Sequence, residues 1–484
     1  MITTLKNGKV CGMEENGILA FKGIPFAKTP VGKLRFKPPV PVTNWEGVFE
    51  AKKFGNRSLQ TGEQEYKDNL GFSEDCLNLN VWTPAIDHKK RPVIFYIHGG
   101  GHFSGANSDE FFDGAHLVRG RDVVMVAANY RLGALGYLYL GDILGEEYKD
   151  SGNLGLLDQI LALKWVKENI AAFGGDPDLV VLMGQSAGGK SVANLMVTPA
   201  AKGLFHRAII QSGSVQCIRD THTATELAKV VLDQLGVAAT PWDILIKSGA
   251  DIIAAQKAAY EAIDRGHLFG PVIDGRTILE SPEKYIESGK VGEIPVLIGY
   301  NKEELYYSDP EDRRTAEESI KAFHKCYGKN WEIVYRKYKE YQKEYSAAVA
   351  FDMTQTLCVY GNAAMALTQL LAAAGNKVWS YRWDYGGAIG RAQHFSEMAY
   401  LFGFSIDESH KGYDKQDEAL ARRMNEAWMS FVCNGDPTTR DLPDWYSCST
   451  GEMGYRMHLD KESHLEQINL HCYYQELPMQ IIKL

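Results

Sequence analysis

The sequence lacks the features that mark several classes of protein. No apolar run approaches the roughly 20 residues that cross a bilayer, and the first residues lack the charged-then-apolar pattern of a secretory signal. The formal net charge of -9 argues against the basic face of a nucleic-acid binder. No internal repeat or flexible linker is visible. We therefore expect a cytoplasmic globular protein with neither a membrane nor a nucleic acid as partner.

Clustered cysteines are also missing. The chain has eight cysteines, but they show neither a CxxC motif nor the His/Cys spacing of a zinc site. We therefore expect no metal, and we expect mostly free thiols, as in a cytosolic protein.

Short β-branched segments alternate with longer helical patterns along the chain. This alternation predicts an α/β fold in which a large, mostly parallel sheet is covered by helices, and we expect a single domain over residues 1–484. Turn signals within the first 50 residues predict small antiparallel strands before the main sheet. The predicted strands are 92–97, 122–127, 179–183, 294–298 and 378–383, the predicted helices 156–172 and 223–235, and the predicted helical surface excursions 309–343 and 407–423.

A nucleophile elbow is the first motif with chemical meaning. Residues 184–188 read Gly-Gln-Ser-Ala-Gly, the G-x-S-x-G pattern in which a serine occupies a strained turn between a strand and a helix. Small residues are needed two positions before and after Ser186, because larger side chains would collide with neighbouring backbone. Ser186 is therefore the candidate nucleophile.

A second motif overlaps the first. Residues 184–191 also read G-x-x-x-x-G-K-S, the loop that cradles phosphates in nucleotide hydrolases. A strand before and a helix after suit both motifs. This segment alone leaves an esterase and an NTPase open.

A glycine-rich loop favours the esterase. The segment His98-Gly-Gly-Gly101 follows the predicted strand 92–97, and loops of this kind stabilise the oxyanion of acyl transfer with backbone N–H groups. Together with the residue after the nucleophile, it predicts Gly100, Gly101 and Ala187 as donors. An NTPase has no use for such a loop, and no convincing apolar strand ends in a magnesium-binding aspartate.

Two later segments offer a base and an acid. The elbow and such a glycine loop occur together in α/β-hydrolases, where the catalytic residues follow the chain order Ser, then Asp or Glu, then His. His394 lies in a polar loop after the predicted strand 378–383, where a base can reach the serine. Glu303 and Glu304 directly follow the predicted strand 294–298, and a carboxylate there would orient the imidazole. The pattern does not separate the two glutamates.

With these residues in hand, the chain resembles the type-B carboxylesterase/lipase family over nearly its whole length, from about Gly8 to Tyr446. The resemblance implies the α/β-hydrolase fold, with helical excursions around an active-site gorge, and ester hydrolysis through an acyl-enzyme with no cofactor. The motifs that carry it are Phe21-Lys-Gly-Ile-Pro-Phe-Ala27, Leu34-Arg-Phe-Lys-Pro-Pro39, Ser73-Glu-Asp-Cys-Leu-Asn-Leu-Asn80, Asn129-Tyr-Arg-Leu-Gly-Ala-Leu-Gly136, Phe173-Gly-Gly-Asp-Pro177 and Pro271-Val-Ile-Asp-Gly275.

The resemblance also implies roles for individual residues. Leu305 stands where the family usually has glycine after the acid, so the backbone of that turn is expected to differ. The implied triad is Ser186, His394 and Glu304, the implied oxyanion donors are Gly100, Gly101 and Ala187, and the implied framework pairs are Arg35–Glu74 and Arg131–Asp158.

Three departures from the family pattern bear on the thiols and the substrate. Ser58 stands near the cysteine that commonly pairs with the one at Cys76, so Cys76 is expected to lack that partner. The loop between them has no Trp, whereas cholinesterases place a choline-binding Trp there. Gln185 replaces the Glu that often precedes the nucleophile. The last two changes weaken cation attraction, so we expect a neutral or anionic small-molecule ester of short acyl, aryl or hydroxycinnamoyl type.

The remaining expectations concern the pocket and a competing function. If the resemblance holds, the pocket is lined by His102, Phe103, Gln185, His267 and Phe269, although packing of the pocket wall explains such residues as well. A catalytically silent relative that acts as a binding module would lack a triad member, and all three are present here.

Overall fold

The computed structural model describes residues 1–61, 71–263, 267–308, 311–387, 390–403, 415–448 and 453–470. The strands are β1 Ile2–Leu5, β2 Gly8–Cys11, β3 Met13–Glu15, β4 Ile18–Pro25, β5 Val48–Glu50, β6 Arg57–Ser58, β7 Phe72–Ser73, β8 Asn78–Thr83, β9 Arg91–Ile97, β10 Val124–Ala128, β11 Gly175–Gln185, β12 Arg207–Gln211, β13 Arg219–Asp220, β14 Val272–Ile273, β15 Val296–Asn301, β16 Val378–Trp383, β17 Met453–Leu459 and β18 His464–Asn469. The α-helices are α1 Gly114–Val118, α2 Gly133–Tyr137, α3 Gly141–Leu144, α4 Leu154–Asn169, α5 Ala187–Met196, α6 Thr221–Gln234, α7 Gly249–Ile263, α8 Pro282–Glu287, α9 Ala316–Tyr327, α10 Trp331–Tyr341, α11 Ala347–Thr356, α12 Asn362–Ala373, α13 Ser396–Phe402 and α14 Lys415–Asn434.

These elements form two compact units. The first unit holds the described residues of 1–206 and 217–281, and the second holds those of 207–216 and 282–470. The single domain expected over residues 1–484 stays a prediction.

In the first unit, the main strands lie in the order β11-β9-β10-β8-β4-β3. The pairs β11–β9 and β9–β10 are parallel, and the pairs from β10 through β8 and β4 to β3 are antiparallel. Every residue of β10 is buried, and in β9 only Pro92 is partly exposed. Both strands are therefore nearly continuous apolar runs, as expected for strands covered on both faces.

The first 50 residues divide between two sheets. β1 and β2 form the predicted antiparallel pair, and β5 then joins β2 in parallel. The second hairpin, β3 and β4, instead extends the main sheet. The predicted strands are thus present, although they do not form one separate meander.

In the second unit, the strands lie in the order β12-β15-β16-β17-β18. The first four run parallel and β18 returns antiparallel to β17. The predicted excursion 309–343 contains α9 and α10, which bury their own apolar cluster of Phe323, Val334 and Tyr338 with α11. The predicted excursion 407–423 lies partly outside the described residues, and its described part begins α14.

Helix α14 has one buried apolar stripe and one exposed charged side. Leu420, Met424 and Trp428 recur at helical spacing and are fully buried. This spacing places one apolar stripe of the helix against the protein and leaves the charged residues on the other side. The described part of the predicted excursion 407–423 is therefore the start of an amphipathic helix, and its surface location stays a prediction.

One stretch of the described residues is long and apolar enough to cross a membrane. It runs over Ala347–Ala373 and joins α11 and α12 through the π-helical turn Leu357–Gly361. Within its most apolar window, 78% of the residues are buried inside the protein. The core helices of globular proteins pass the same test of length and composition.

Candidate active site

Ser186 occupies a strained turn between β11 and α5. Its backbone has φ 59° and ψ -123°, a conformation that residues with a side chain rarely adopt. The flanking glycines allow the turn to pack. A Cβ on Gly184 would lie 2.5 Å from the backbone of Gly188, and one on Gly188 would lie 2.0 Å from the carbonyl oxygen of Ile97. The glycines at these two positions are therefore required by close backbone approach.

The glycine-rich loop after β9 lies directly against this turn. A Cβ on Gly99 would be 3.2 Å from the Cβ of Ser186. The loop is fixed by the carbonyl of Gly100, which accepts hydrogen bonds from the backbone N–H groups of Phe103 and Ser104 at 3.0 and 2.9 Å. Both Gly100 and Gly101 have positive φ values, 99° and 63°.

Three backbone donors remain available beside Ser186. Within the described part of the chain, the N–H groups of Gly100, Gly101 and Ala187 have no hydrogen-bond acceptor. Ala187 is the first residue of α5, where backbone N–H groups lack an intrahelical partner and the helix dipole favours negative charge. These donors are suited to an oxyanion.

In the second unit, His394 pairs with Glu304. The ring atom Nδ1 of His394 lies 2.5 Å from Oε2 of Glu304, and the backbone N–H of His394 donates to the carbonyl of Glu304 at 3.0 Å. Glu304 is fully buried. Glu303 instead accepts the backbone N–H of Ala392 at 2.7 Å. The sequence left two glutamates open. In the structure, Glu304 is the one that contacts His394.

Leu305 fits the turn after Glu304 without strain. Its backbone does not adopt a positive φ, so the glycine usual at this position is not needed for conformational freedom. The Leu305 N–H donates to Oγ1 of Thr356 at 3.0 Å, which anchors the turn to α11.

A second buried carboxylate beside this pair was missed by the sequence analysis. Glu397, at the start of α13, is fully buried and accepts a hydrogen bond from Nδ2 of Asn301 at 2.6 Å. Burial raises the pKa of Glu397 to about 7, and the negative charge of Glu304 adds to the rise. The only signal was an acidic residue three positions after His394, and burial of that residue is not visible in sequence.

Two of the predicted pocket residues are buried beside the elbow. Gln185 is 1% exposed and His102 is fully buried, with Nε2 of His102 3.3 Å from Oγ of Ser191. Burial lowers the pKa of His102 to about 3, and the positive charges of Lys190 and Arg219 contribute. His102 is therefore neutral near pH 7.

The predicted aromatic residues of the pocket meet through a tyrosine that the sequence analysis did not single out. The ring centroids of Phe103 and Tyr260 lie 5.4 Å apart, and those of Tyr260 and Phe269 lie 5.8 Å apart. His267 has a positive φ of 56° and is half-buried. The pocket role of these side chains stays a prediction.

The residues expected to support the framework form the implied ion pairs. Nη2 of Arg131 lies 2.7 Å from Oδ1 of Asp158, which is fully buried, and Nε of Arg35 donates to Oε2 of Glu74 at 2.9 Å. Cys76 is a free thiol, and burial raises its pKa to about 12. Among the described residues, no group of three or more His, Cys, Asp or Glu side chains is placed to hold a metal.

Comparisons with known proteins identify the family of this chain. A model of the carboxylesterase family matches residues 1–476. The para-nitrobenzyl esterase of Bacillus subtilis (strain 168) is 36% identical over 454 residues, which cover 90% of this chain and 91% of that protein. A crystal structure of a Geobacillus stearothermophilus carboxylesterase at pH 6.2 has 35% identity and a TM-score of 0.88, covering 98% of this chain and 100% of that one. A PNB esterase structure has 34% identity and a TM-score of 0.83, covering 96% and 97%. The fold is the α/β-hydrolase fold of these enzymes.

Proposed function

We propose that Ser186, His394 and Glu304 form the catalytic triad of this chain. The chain belongs to the carboxylesterase family and is itself a carboxylesterase. His394 takes the proton of the Ser186 hydroxyl, and Oγ attacks the ester carbonyl carbon. Glu304 holds the imidazole in the required tautomer and stabilises the imidazolium that forms. His394 then protonates the leaving alcohol.

The developing negative charge is held by the backbone. The former carbonyl oxygen accepts hydrogen bonds from the N–H groups of Gly100, Gly101 and Ala187, each worth roughly 10²–10³ in rate for donors of this kind. Water then attacks the acyl carbon and gives a proton to His394. His394 passes this proton to the leaving Ser186 oxygen, and the acid is released. This chemistry requires no metal or organic cofactor.

One observation carries the proposal. Ser186 is held in a strained backbone conformation directly beside a glycine loop whose N–H groups have no other acceptor in the described structure. Strain of about 1–3 kcal/mol persists only where the surrounding structure enforces it, and it concentrates at functional sites. The His394–Glu304 pair is the base and the acid that the proposed mechanism requires.

The proposal is tested with Ser186→Ala and a p-nitrophenyl ester. We expect kcat/KM to fall by roughly 10⁴-fold or more, as for a lost triad nucleophile. Ser248→Ala, at an exposed serine before α7, is the matched control and retains wild-type kcat/KM. A Ser186→Ala enzyme that keeps a tenth of the wild-type value would overturn the assignment.

We also propose that the substrate is a neutral or anionic ester. His102 is neutral near pH 7, and the charges that act on it from Lys190 and Arg219 are positive. Gln185, which is buried beside Ser186, adds no negative charge. Residues 62–70 of the loop without Trp lie outside the described residues.

Acetylcholine and its uncharged isostere 3,3-dimethylbutyl acetate provide a direct comparison. We expect the neutral ester to have a kcat/KM at least ten times higher, because the positive charges near the site disfavour a quaternary ammonium group. Equal values for the two esters would contradict this part of the proposal.

A further inference from the structure

The first unit contains an arginine that the mechanism does not use. Arg219 lies in β13 and is 4% exposed. Its Nη1 donates to the carbonyl of Cys217 at 3.2 Å, and its Nη2 donates to the carbonyl of His267. A guanidinium has five N–H donors, so these two carbonyls leave part of its donor capacity unused.

Arg219 also has no acidic partner among the described residues. Both hydrogen bonds go to backbone carbonyls, and no carboxylate forms an ion pair with it. A buried cation without an anion is costly, and proteins normally pair it. Within the described ranges, this position therefore combines a buried cation with no neighbouring anion, which requires an explanation.

A continuous aromatic wall connects this cation to the oxyanion loop. A Cβ on Gly101 would lie 2.5 Å from the ring of Phe103, and the Phe103 ring packs on Tyr260 with centroids 5.4 Å apart. Tyr260 in turn packs on Phe269. The next residue, Gly270, comes so close to Arg219 that a Cβ there would lie 3.1 Å from Nη1. The wall is aromatic along its length and ends at a cation.

We propose that Arg219 binds a carboxylate of the substrate, and that the enzyme prefers esters in which an apolar or aryl spacer separates the ester group from a carboxylate. The planar fork of arginine matches the two oxygens of a carboxylate, and the rings of Phe103 and Tyr260 contact the spacer. The proposal rests on the proposed function, since it names the substrate class of the same site.

The wild-type enzyme is compared on two pairs of esters in which a free carboxylate is replaced by its methyl ester. In the acyl pair, mono-p-nitrophenyl adipate, which has a free carboxylate, is compared with methyl p-nitrophenyl adipate. In the alcohol pair, 4-acetoxybenzoate is set against methyl 4-acetoxybenzoate. We expect the charged member of one pair to have a kcat/KM at least ten times higher, mainly through KM, and that pair tells which half of the ester carries the carboxylate. No preference in either pair overturns the proposal.

Variants then assign the preference to one residue. Arg219→Gln is expected to reduce the charged-to-neutral ratio to near one. Arg219→Lys keeps part of the ratio. Arg121→Gln is the matched control, because Nη1 of Arg121 also donates to two backbone carbonyls, those of His116 and Leu117, and it keeps the full ratio.

The two levels of the hypothesis fail in different ways. If neutral esters are hydrolysed through Ser186 but carboxylates give no preference, only the role of Arg219 is lost. If no ester is hydrolysed, the proposed function itself fails. If Arg219→Gln does not fold, the ratio in Arg219→Lys decides, and an unchanged ratio there together with no inhibition of the wild type by benzoate overturns the proposal.

Discussion

The side-chain amide of Asn301 donates a hydrogen bond to the buried carboxylate of Glu397 at 2.6 Å. The backbone N–H of the same asparagine donates to Oε1 of Glu304 at 2.8 Å. Asn301 thus binds two buried carboxyl groups, and that of Glu304 also contacts His394. Two negative charges in one buried site repel each other, so protonation of one is favoured.

Stability is expected to fall with rising pH because of Glu397. Its pKa rises from the ordinary 4.5 to about 7 on folding, so between these values the native state holds a proton that the unfolded chain has released. The contribution is complete below about pH 4.5 and is lost as the pH passes about 7, with a limit of about 3 kcal/mol from the size of the shift. Urea unfolding at pH 5 and pH 8.5 measures it.

Glu397→Gln removes this dependence while keeping an acceptor for Asn301. We subtract the free energy of unfolding of the wild type from that of the variant at each pH. This difference is expected to be roughly 1–3 kcal/mol larger at pH 8.5 than at pH 5. Glu287→Gln, at an exposed position in α8, serves as control. A wild type and a Glu397→Gln variant with parallel pH profiles would contradict the prediction.

The two adjacent glutamates are expected to differ sharply in activity. Glu304→Gln keeps the shape of the side chain next to His394 but removes the negative charge that stabilises the imidazolium, so kcat should fall by roughly 10²–10⁴-fold. Glu303→Gln loses only a charged acceptor for a backbone N–H and should keep kcat within about tenfold. Steady-state kinetics on one p-nitrophenyl ester compares them, and equal losses would refute the assignment.

Gly188 is expected to be intolerant of any side chain. Alanine there would place a Cβ 2.0 Å from the carbonyl oxygen of Ile97, whereas a Cβ on Gly71 meets nothing within 4 Å. Gly188→Ala should therefore lower the free energy of unfolding by roughly 1–3 kcal/mol or more and abolish activity, while Gly71→Ala is close to neutral. Urea unfolding midpoints of the two variants decide the matter, and a fully stable Gly188→Ala would show that the elbow can relax.

The sequence was sufficient where function depends on local pattern. The elbow around Ser186 and the loop at Gly100 and Gly101 were visible because each needs small residues at fixed spacing within one short segment. The strands of the sheet were visible for a similar reason, since burial on both faces demands an unbroken apolar run. Glu303 and Glu304 remained open because adjacent residues share every local property, and only the fold decides which one faces the histidine.

Contacts between distant segments could not be predicted from the sequence. Phe103 and Phe269 were expected in the pocket, but their link through Tyr260 depends on how α7 packs on the loop after β9. Arg219 gave no signal, because a lone arginine is usually solvated and its burial is visible only in three dimensions. Glu397 was overlooked for the same reason.

The left-handed backbone at Ser186 has a consequence for how this enzyme could evolve. Glycine adopts such a conformation without the penalty that serine incurs, and the relief of about 1–3 kcal/mol exceeds the entropy of roughly 0.5–1 kcal/mol that glycine loses on folding. The inactive Ser186→Gly protein should therefore unfold at a higher temperature than the inactive Ser186→Ala protein, as calorimetry would show. A population screened for heat resistance alone would drift toward glycine at this position, and only selection for turnover keeps the serine in place.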